Sequence, residues 1–126
     1  MLGPFRISLH PRPNEWPATP DVLAAASFVI DFETVYERLE PLPGMFIEPD
    51  GSFVWRVPGA WQLDGHLYDR AGHLIYVDLL GTCPRSAFDD LLRRLNVAAE
   101  NVVVQLRESG RYVHCRAFLD AAGRCE

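Results

Sequence analysis

The chain has 126 residues, 48% hydrophobic and 23% charged, which suits one domain with a real core and excludes a disordered chain. Acidic residues outnumber basic ones 17 to 12, and the net charge of −5 opposes binding to nucleic acid unless one face is strongly basic. No apolar run nears the ~18 residues of a membrane span, and the opening MLGPFRISLHPRPNEWP has neither the apolar core nor the cleavage site of a signal peptide.

The first element is Pro4 to His10. Phe5, Ile7 and Leu9 alternate with Arg6, Ser8 and His10, the period of a strand, and an edge strand is expected there. PRPNEWPATP follows, with four prolines in ten residues. It reads as an extended arm anchored by Trp16, because proline fixes its own φ and restricts its predecessor. Thr19-Pro20-Asp21 is a helix start: a cap, a first-turn proline and an acid at the positive end of the dipole. The stripe Val22, Ala26, Val29, Phe32, Tyr36, Leu39 then has helical spacing. Val29-Ile30 and Ser27 weaken its middle, so Asp31 could instead cap a second, shorter helix. Pro41 and Pro43 stop either version.

Hairpin signals come next. Glu48-Pro49-Asp50-Gly51, Asp69-Arg70-Ala71-Gly72 and Arg107-Glu108-Ser109-Gly110 each put a glycine after three turn-compatible residues between strand-like runs. A type I turn closed by a G1 bulge is expected at each. Pro58-Gly59-Ala60 joins the first two hairpins into a four-strand meander. Between the second and third hairpins lies TCPRSAFDDLLRRLN. Thr82 or Cys83 is the expected cap, and Ala87, Phe88, Leu91, Leu92 and Leu95 form its apolar stripe. Asp89-Asp90 early, Arg93-Arg94 late and Asn96 at the end complete that helix. The tail FLDAAGRCE reads as a closing turn or frayed end. The order strand, helix, four strands, helix, two strands defines one α+β domain over 1–126. Its antiparallel sheet has five to seven strands and is packed by two helices, with 1–20 as strand and proline-rich arm.

The candidate chemistry lies in QLDGHLYDRAGHLIYVDLLG, Gln62 to Gly81. With Gly72 as a bulge residue, Asp69 pairs with His73. Leu67 then faces Ile75, Gly65 faces Val77 and Leu63 faces Leu79 on a core side. Tyr68 opposite Leu74, His66 opposite Tyr76 and Asp64 opposite Asp78 make a mixed side. Opposed side chains stand about 4.5–5.5 Å apart at Cβ. Two carboxylates so placed call for a shared proton, an arginine or a cation. Asp64, His66 and Asp78 are therefore the candidate catalytic or divalent-metal residues. The plainer alternative is a solvated or arginine-paired strand face. His73, beside the turn glycine, is expected at the surface.

YDRAGHLIYVDLLG also resembles one YD repeat of bacterial Rhs-type surface and toxin proteins, through Tyr68, Asp69, Gly72, Leu74 and Gly81. The resemblance covers about 14 residues, and a shell of that kind needs many copies in succession. This sequence holds one copy and a partial echo at Asp120–Gly123, so the likeness is one of hairpin chemistry. It implies no family.

Cys83, Cys115 and Cys125 are an odd set without Cys-x-x-Cys or a signal peptide, which argues for reduced thiols, a cytoplasmic location and no zinc finger. Cys83 at a helix start is the candidate reactive thiol, since the dipole favours thiolate there. His114 and Cys115 are neighbours on a strand and point to opposite faces. The pair Arg93-Arg94 reads as a solvated helix face. Trp55, Trp61, Tyr68 and Tyr76 are the candidate ligand or partner contacts, with core lids as the alternative for the tryptophans.

No phosphate loop, dinucleotide fingerprint, Gly-x-Ser-x-Gly or His-Glu-x-x-His occurs. The leading expectation is thus a small non-enzymatic protein- or ligand-binding module with no resident cofactor. Its partner is a protein, a small molecule or a second copy of the chain, with neither nucleic acid nor membrane among its partners. The alternative is a small metal-dependent or acid/base enzyme centred on Asp64, His66 and Asp78.

Overall fold

Alternation at the start of the chain produces β1, Leu2–Pro11. Ile7 and Leu9 turn to the core while Arg6, Ser8 and His10 turn to the opposite face. The computed structural model describes residues 1–13 and 26–123. The strands that follow are β2 (Met45–Ile47), β3 (Ser52–Val57), β4 (Trp61–Arg70), β5 (His73–Cys83), β6 (Val102–Leu106) and β7 (Tyr112–His114). All pair antiparallel in one sheet, in the order β2-β3-β4-β5-β1-β6-β7. β1 is therefore not an edge strand: it lies between β5 and β6. The meander β2–β5 and the β6–β7 pair follow the expected chain order.

Among the described residues, three helices pack on one face of this sheet: α1 (Phe32–Leu39), α2 (Arg85–Arg94) and α3 (Cys115–Gly123). Their buried residues Val35, Leu39, Phe88, Leu91, Cys115 and Leu119 share one core with Leu63, Leu67, Val77 and Leu79 of the sheet. Phe5 meets Phe88 and Phe118 edge-on, with centroids 6.3 and 5.7 Å apart. The result is α+β, with the sheet's two faces treated unequally.

Several local expectations are corrected. α1 begins only at Phe32, where the Asp31 carboxylate accepts from the Thr34 amide at 2.8 Å, so the shorter alternative holds. Val29 is almost fully exposed rather than part of an apolar stripe. Trp16, Val22 and the Thr19-Pro20-Asp21 cap lie outside the described residues. Pro84, not Thr82 or Cys83, occupies the N-cap of α2, without a side-chain cap bond. Asp89 and Asp90 sit mid-helix, where they pair with Arg85, Arg93 and Arg94. Asn96 ends the helix as expected, in the left-handed region at φ 57°. The tail is a third helix rather than a turn, because Phe118 and Leu119 fall on one side and bury against the core.

The most consequential correction concerns the β4–β5 turn. Ala71 and Gly72 both have positive φ, 53° and 86°, and Arg70 pairs directly with His73. This is a two-residue turn whose twist matches that of the strands. Asp69 braces it by accepting from the Gly72 amide at 3.1 Å. The Phe28 amide donates to Leu74 O, and the Phe32 amide to Gly72 O, so the chain before α1 holds the hairpin tip. The register is then displaced by two residues, with a bulge opposite Tyr68–Asp69 that makes Ile75 the extra residue. Leu74 is thereby turned into the core and Ile75 is left half-buried.

A displacement of two leaves the faces of the preceding residues unchanged. Leu63, Leu67, Val77 and Leu79 remain inward. Gly65, on the same face, faces the Phe53 ring so closely that an added Cβ would lie 2.0 Å from it. Overpacking of this kind costs about 1–3 kcal/mol. Gly65→Ala is accordingly expected to lower the melting temperature, and Phe53→Leu in the same chain to restore part of the loss. An additive double mutant in thermal denaturation would contradict this contact.

Candidate binding face of the sheet

The face away from the helices is built from three rows of directly opposed residues. The first runs Phe46, Val54, Asp64, Leu80, Arg6 across β2, β3, β4, β5 and β1. The second runs Ser52, His66, Asp78, Ser8, Gln105, Tyr112. The third holds Tyr68 opposite Tyr76 and His10, Val103, His114 across β1, β6 and β7. Asp64 thus stands opposite Leu80, and Asp78 opposite His66. The expected Asp64–Asp78 pair is not formed, because the two-residue turn and the bulge at Ile75 together move the register by two.

Asp78 is instead the centre of a neutral and cationic hydrogen-bond group. Ser8 Oγ donates to its Oδ1 at 2.6 Å, and the Tyr68 phenol bonds the same carboxylate. Arg107 reaches Ser8 Oγ and Gln105 Oε1, both at 3.4 Å. Asp64 accepts from Gln62 Nε2 at 3.0 Å. Among the described residues, no three His, Cys, Asp or Glu side chains are grouped so as to hold a metal ion. Asp64, His66 and Asp78 are therefore not brought together in the arrangement expected from the sequence.

Rings cover the rest of this face. His66 stacks on Tyr68 at 4.3 Å, Tyr68 on Tyr76 at 4.4 Å, and Tyr76 on His10 at 5.4 Å. Tyr112 meets His10 edge-on at 6.0 Å, which carries the array from β4 to β7. Burial, followed by the Asp78 charge, pushes both Tyr68 and Tyr76 above the ordinary phenol value. His10 is buried, and its Nε2 has no hydrogen-bond partner among the described residues. Desolvation lowers its pKa to about 4, with Asp78 opposing and Arg107 reinforcing the shift.

Beside the rings, Arg6, Asp64, Asp78, Leu80 and Arg107 line an open cleft of about 200 Å3. Its floor is the Ile7, Gly65 and Leu79 portion of β1, β4 and β5. No ion pair within 4.0 Å joins its arginines to its aspartates among the described residues.

The remaining candidates lie elsewhere. Trp55 is a core residue whose Nε1 donates to Pro43 O at 3.1 Å. It packs edge-on against half-buried Trp61 at 5.3 Å, so these two form a core lid rather than an exposed patch. Cys83 closes β5 and is fully buried, and desolvation raises its pKa to about 12. Burial outweighs any stabilisation from the start of α2. Cys115 is likewise buried and raised to about 12. His73 is exposed, as expected.

Ser8, His10, Arg6, Arg107 and Tyr112 were not singled out from the sequence as site residues. The alternation in β1 put Arg6, Ser8 and His10 on one side, but an edge position for β1 hid their neighbours. Arg107 carried no signal beyond its turn. No family model, curated protein or solved structure matches the chain.

The unfolded chain takes up a proton on His10 near pH 6.5 and the folded chain only near 4, so its contribution is full above about 6.5 and is lost on acidification toward 4. The whole window is worth on the order of 3 kcal/mol. His10→Phe is expected to remove this pH dependence, so the wild-type-minus-variant difference in unfolding free energy should fall as the pH drops from about 6.5 to about 4; a difference that stays constant across that window would contradict the buried neutral imidazole. Alkylation by iodoacetamide followed by peptide mapping should find Cys83 and Cys115 unmodified in the native protein and modified after denaturation.

Proposed function

We propose that this domain is a non-enzymatic binding module whose contact surface is the sheet face carrying Tyr68, Tyr76 and His66. The observation that carries this reading is the unbroken ring array from His66 to Tyr112 beside a polar cleft. Core packing has no use for such an array, since the helices bury the other face. Half-buried aromatic groups with polar handles are the groups that supply contact area at low entropic cost. Arg6, Arg107, Asp64 and Asp78 add directional groups next to that area, the composition of a small-molecule or peptide site.

The acid/base alternative required Asp64 beside Asp78 with a proton to share. The register separates them, and Asp78 is committed to Ser8 and Tyr68. The domain's acidic charge and the two cleft carboxylates disfavour polyanions as partners.

A fragment library screened by 15N NMR tests the assignment of function to this face. Shift changes are expected to cluster on Gly65, His66, Tyr68, Tyr76, Leu79 and Leu80, and to diminish in Tyr68→Ala. Hits confined to other surfaces, or the absence of any hit, would overturn it.

A further inference from the structure

The cleft beside the ring array carries two cationic and two anionic side chains with no ion pair within 4.0 Å between them among the described residues. Arg6 and Asp64 both stand opposite Leu80, from its two sides, in the row Asp64–Leu80–Arg6. Strands are about 4.7–4.9 Å apart, so the Cα positions of Asp64 and Arg6 are separated by about 10 Å. Between them lies Leu80, an apolar side chain that is 51% exposed. Arg107 joins Arg6 at one end, its amide donating to Arg6 O at 3.0 Å. Asp64 belongs to the other end. The line therefore reads anion-binding, apolar, cation-binding. At roughly 30 Å3 per water, 200 Å3 corresponds to six or seven waters, the scale of a small organic ligand.

Resting on the binding-module reading, we infer that this cleft accepts a small zwitterion with an apolar spacer between carboxylate and ammonium, the class of unblocked dipeptides. The carboxylate meets the guanidiniums of Arg6 and Arg107, which offer planar donor forks. The ammonium meets Asp64, while Asp78 stays bound to Ser8 and Tyr68. The apolar side chains of the ligand lie over Leu80. A simple anion would be repelled by Asp64 and Asp78, and a simple cation by Arg6 and Arg107. A ligand bearing both charges at a separation satisfies each end and leaves no unpaired charge. The sign pattern thus selects against singly charged ligands as much as it favours the zwitterion.

The test is a 15N NMR titration with alanyl-leucine, its N-acetyl form and its C-terminal amide. The expected result is saturable shifts at Gly65, Leu79 and Leu80 with free alanyl-leucine at millimolar concentration. Exposed ion pairs contribute about 0.2–1 kcal/mol, so blocking either terminus should weaken binding by up to about fivefold. Arg6→Gln should remove the discrimination against the amide while keeping that against the acetylated form, and Asp64→Asn should do the reverse. Both substitutions are at accessible positions, and unchanged melting curves would confirm intact folds. Equal binding of all three ligands, shifts located away from the cleft, or no binding of alanyl-leucine would overturn the ligand class. Fragment hits on the ring array in the same protein would leave the binding face standing while this inference fell.

Discussion

The pairing of β4 with β5 decides the rest of the structure. These two strands share the longest ladder in the sheet, from Leu63–Gly81 to Arg70–His73. Side chains alternate strictly along a strand, so this one register determines which residues meet the helices and which do not. The Ala71-Gly72 turn fixes it from one end and the bulge at Ile75 corrects it from within. Ala71 bears the cost, since a non-glycine residue in the left-handed region is disfavoured by roughly 1 kcal/mol. Pairing with the Phe28–Phe32 segment at the hairpin tip and the Asp69 bond to Gly72 offset that cost.

Once this register is set, the two faces have different work. The helix face buries leucines, valines and phenylalanines around Phe88 and needs no polar group. The other face holds a buried Ser8 and His10, a carboxylate with two hydrogen-bond donors, and five rings in contact. Ser8 is satisfied by Asp78, as a buried hydroxyl must be. Among the described residues His10 Nε2 finds no partner, and an unpaired buried nitrogen costs about 1–3 kcal/mol. The imidazole escapes a larger cost by staying neutral, which is why its pKa falls. A sheet face that carries such a cost is not optimised for stability alone.

Much of this was legible in the sequence. Glycines at 51, 72 and 110 after turn-compatible residues marked three hairpins, and all three adopt positive φ. The faces of Leu63, Leu67, Val77 and Leu79 were recoverable because a shift by two residues preserves them, whereas Leu74 and Ile75 exchanged faces at the bulge. What was not recoverable was the pairing partner of each residue. That depended on whether Ala71 would accept a left-handed conformation, a choice made by tertiary contacts with residues 28–32. The edge position expected for β1 failed for a related reason: strand order is set by long-range pairing with β5 and β6, which leaves no local trace. Asp120–Gly123 carried a turn-like pattern yet became the end of α3, since burial of Phe118 and Leu119 against the core overrode it.

The misplaced partner also changes what the face can do chemically. Had Asp64 stood opposite Asp78, two adjacent carboxylates would have raised one another's proton affinity and invited a metal. With Leu80 interposed, each carboxylate keeps its own environment: Asp78 is bound by Ser8 and Tyr68, and Asp64 is left beside the cleft with Gln62. The arginines approach from β1 and the turn after β6, on the far side of Leu80. A two-residue displacement of a hairpin thus converts a like-charge pair into charges of opposite sign held apart by an apolar residue. Arg6 and Asp64 flank Leu80 without an ion pair within 4.0 Å among the described residues, and it is on this separation that the proposed zwitterion site rests.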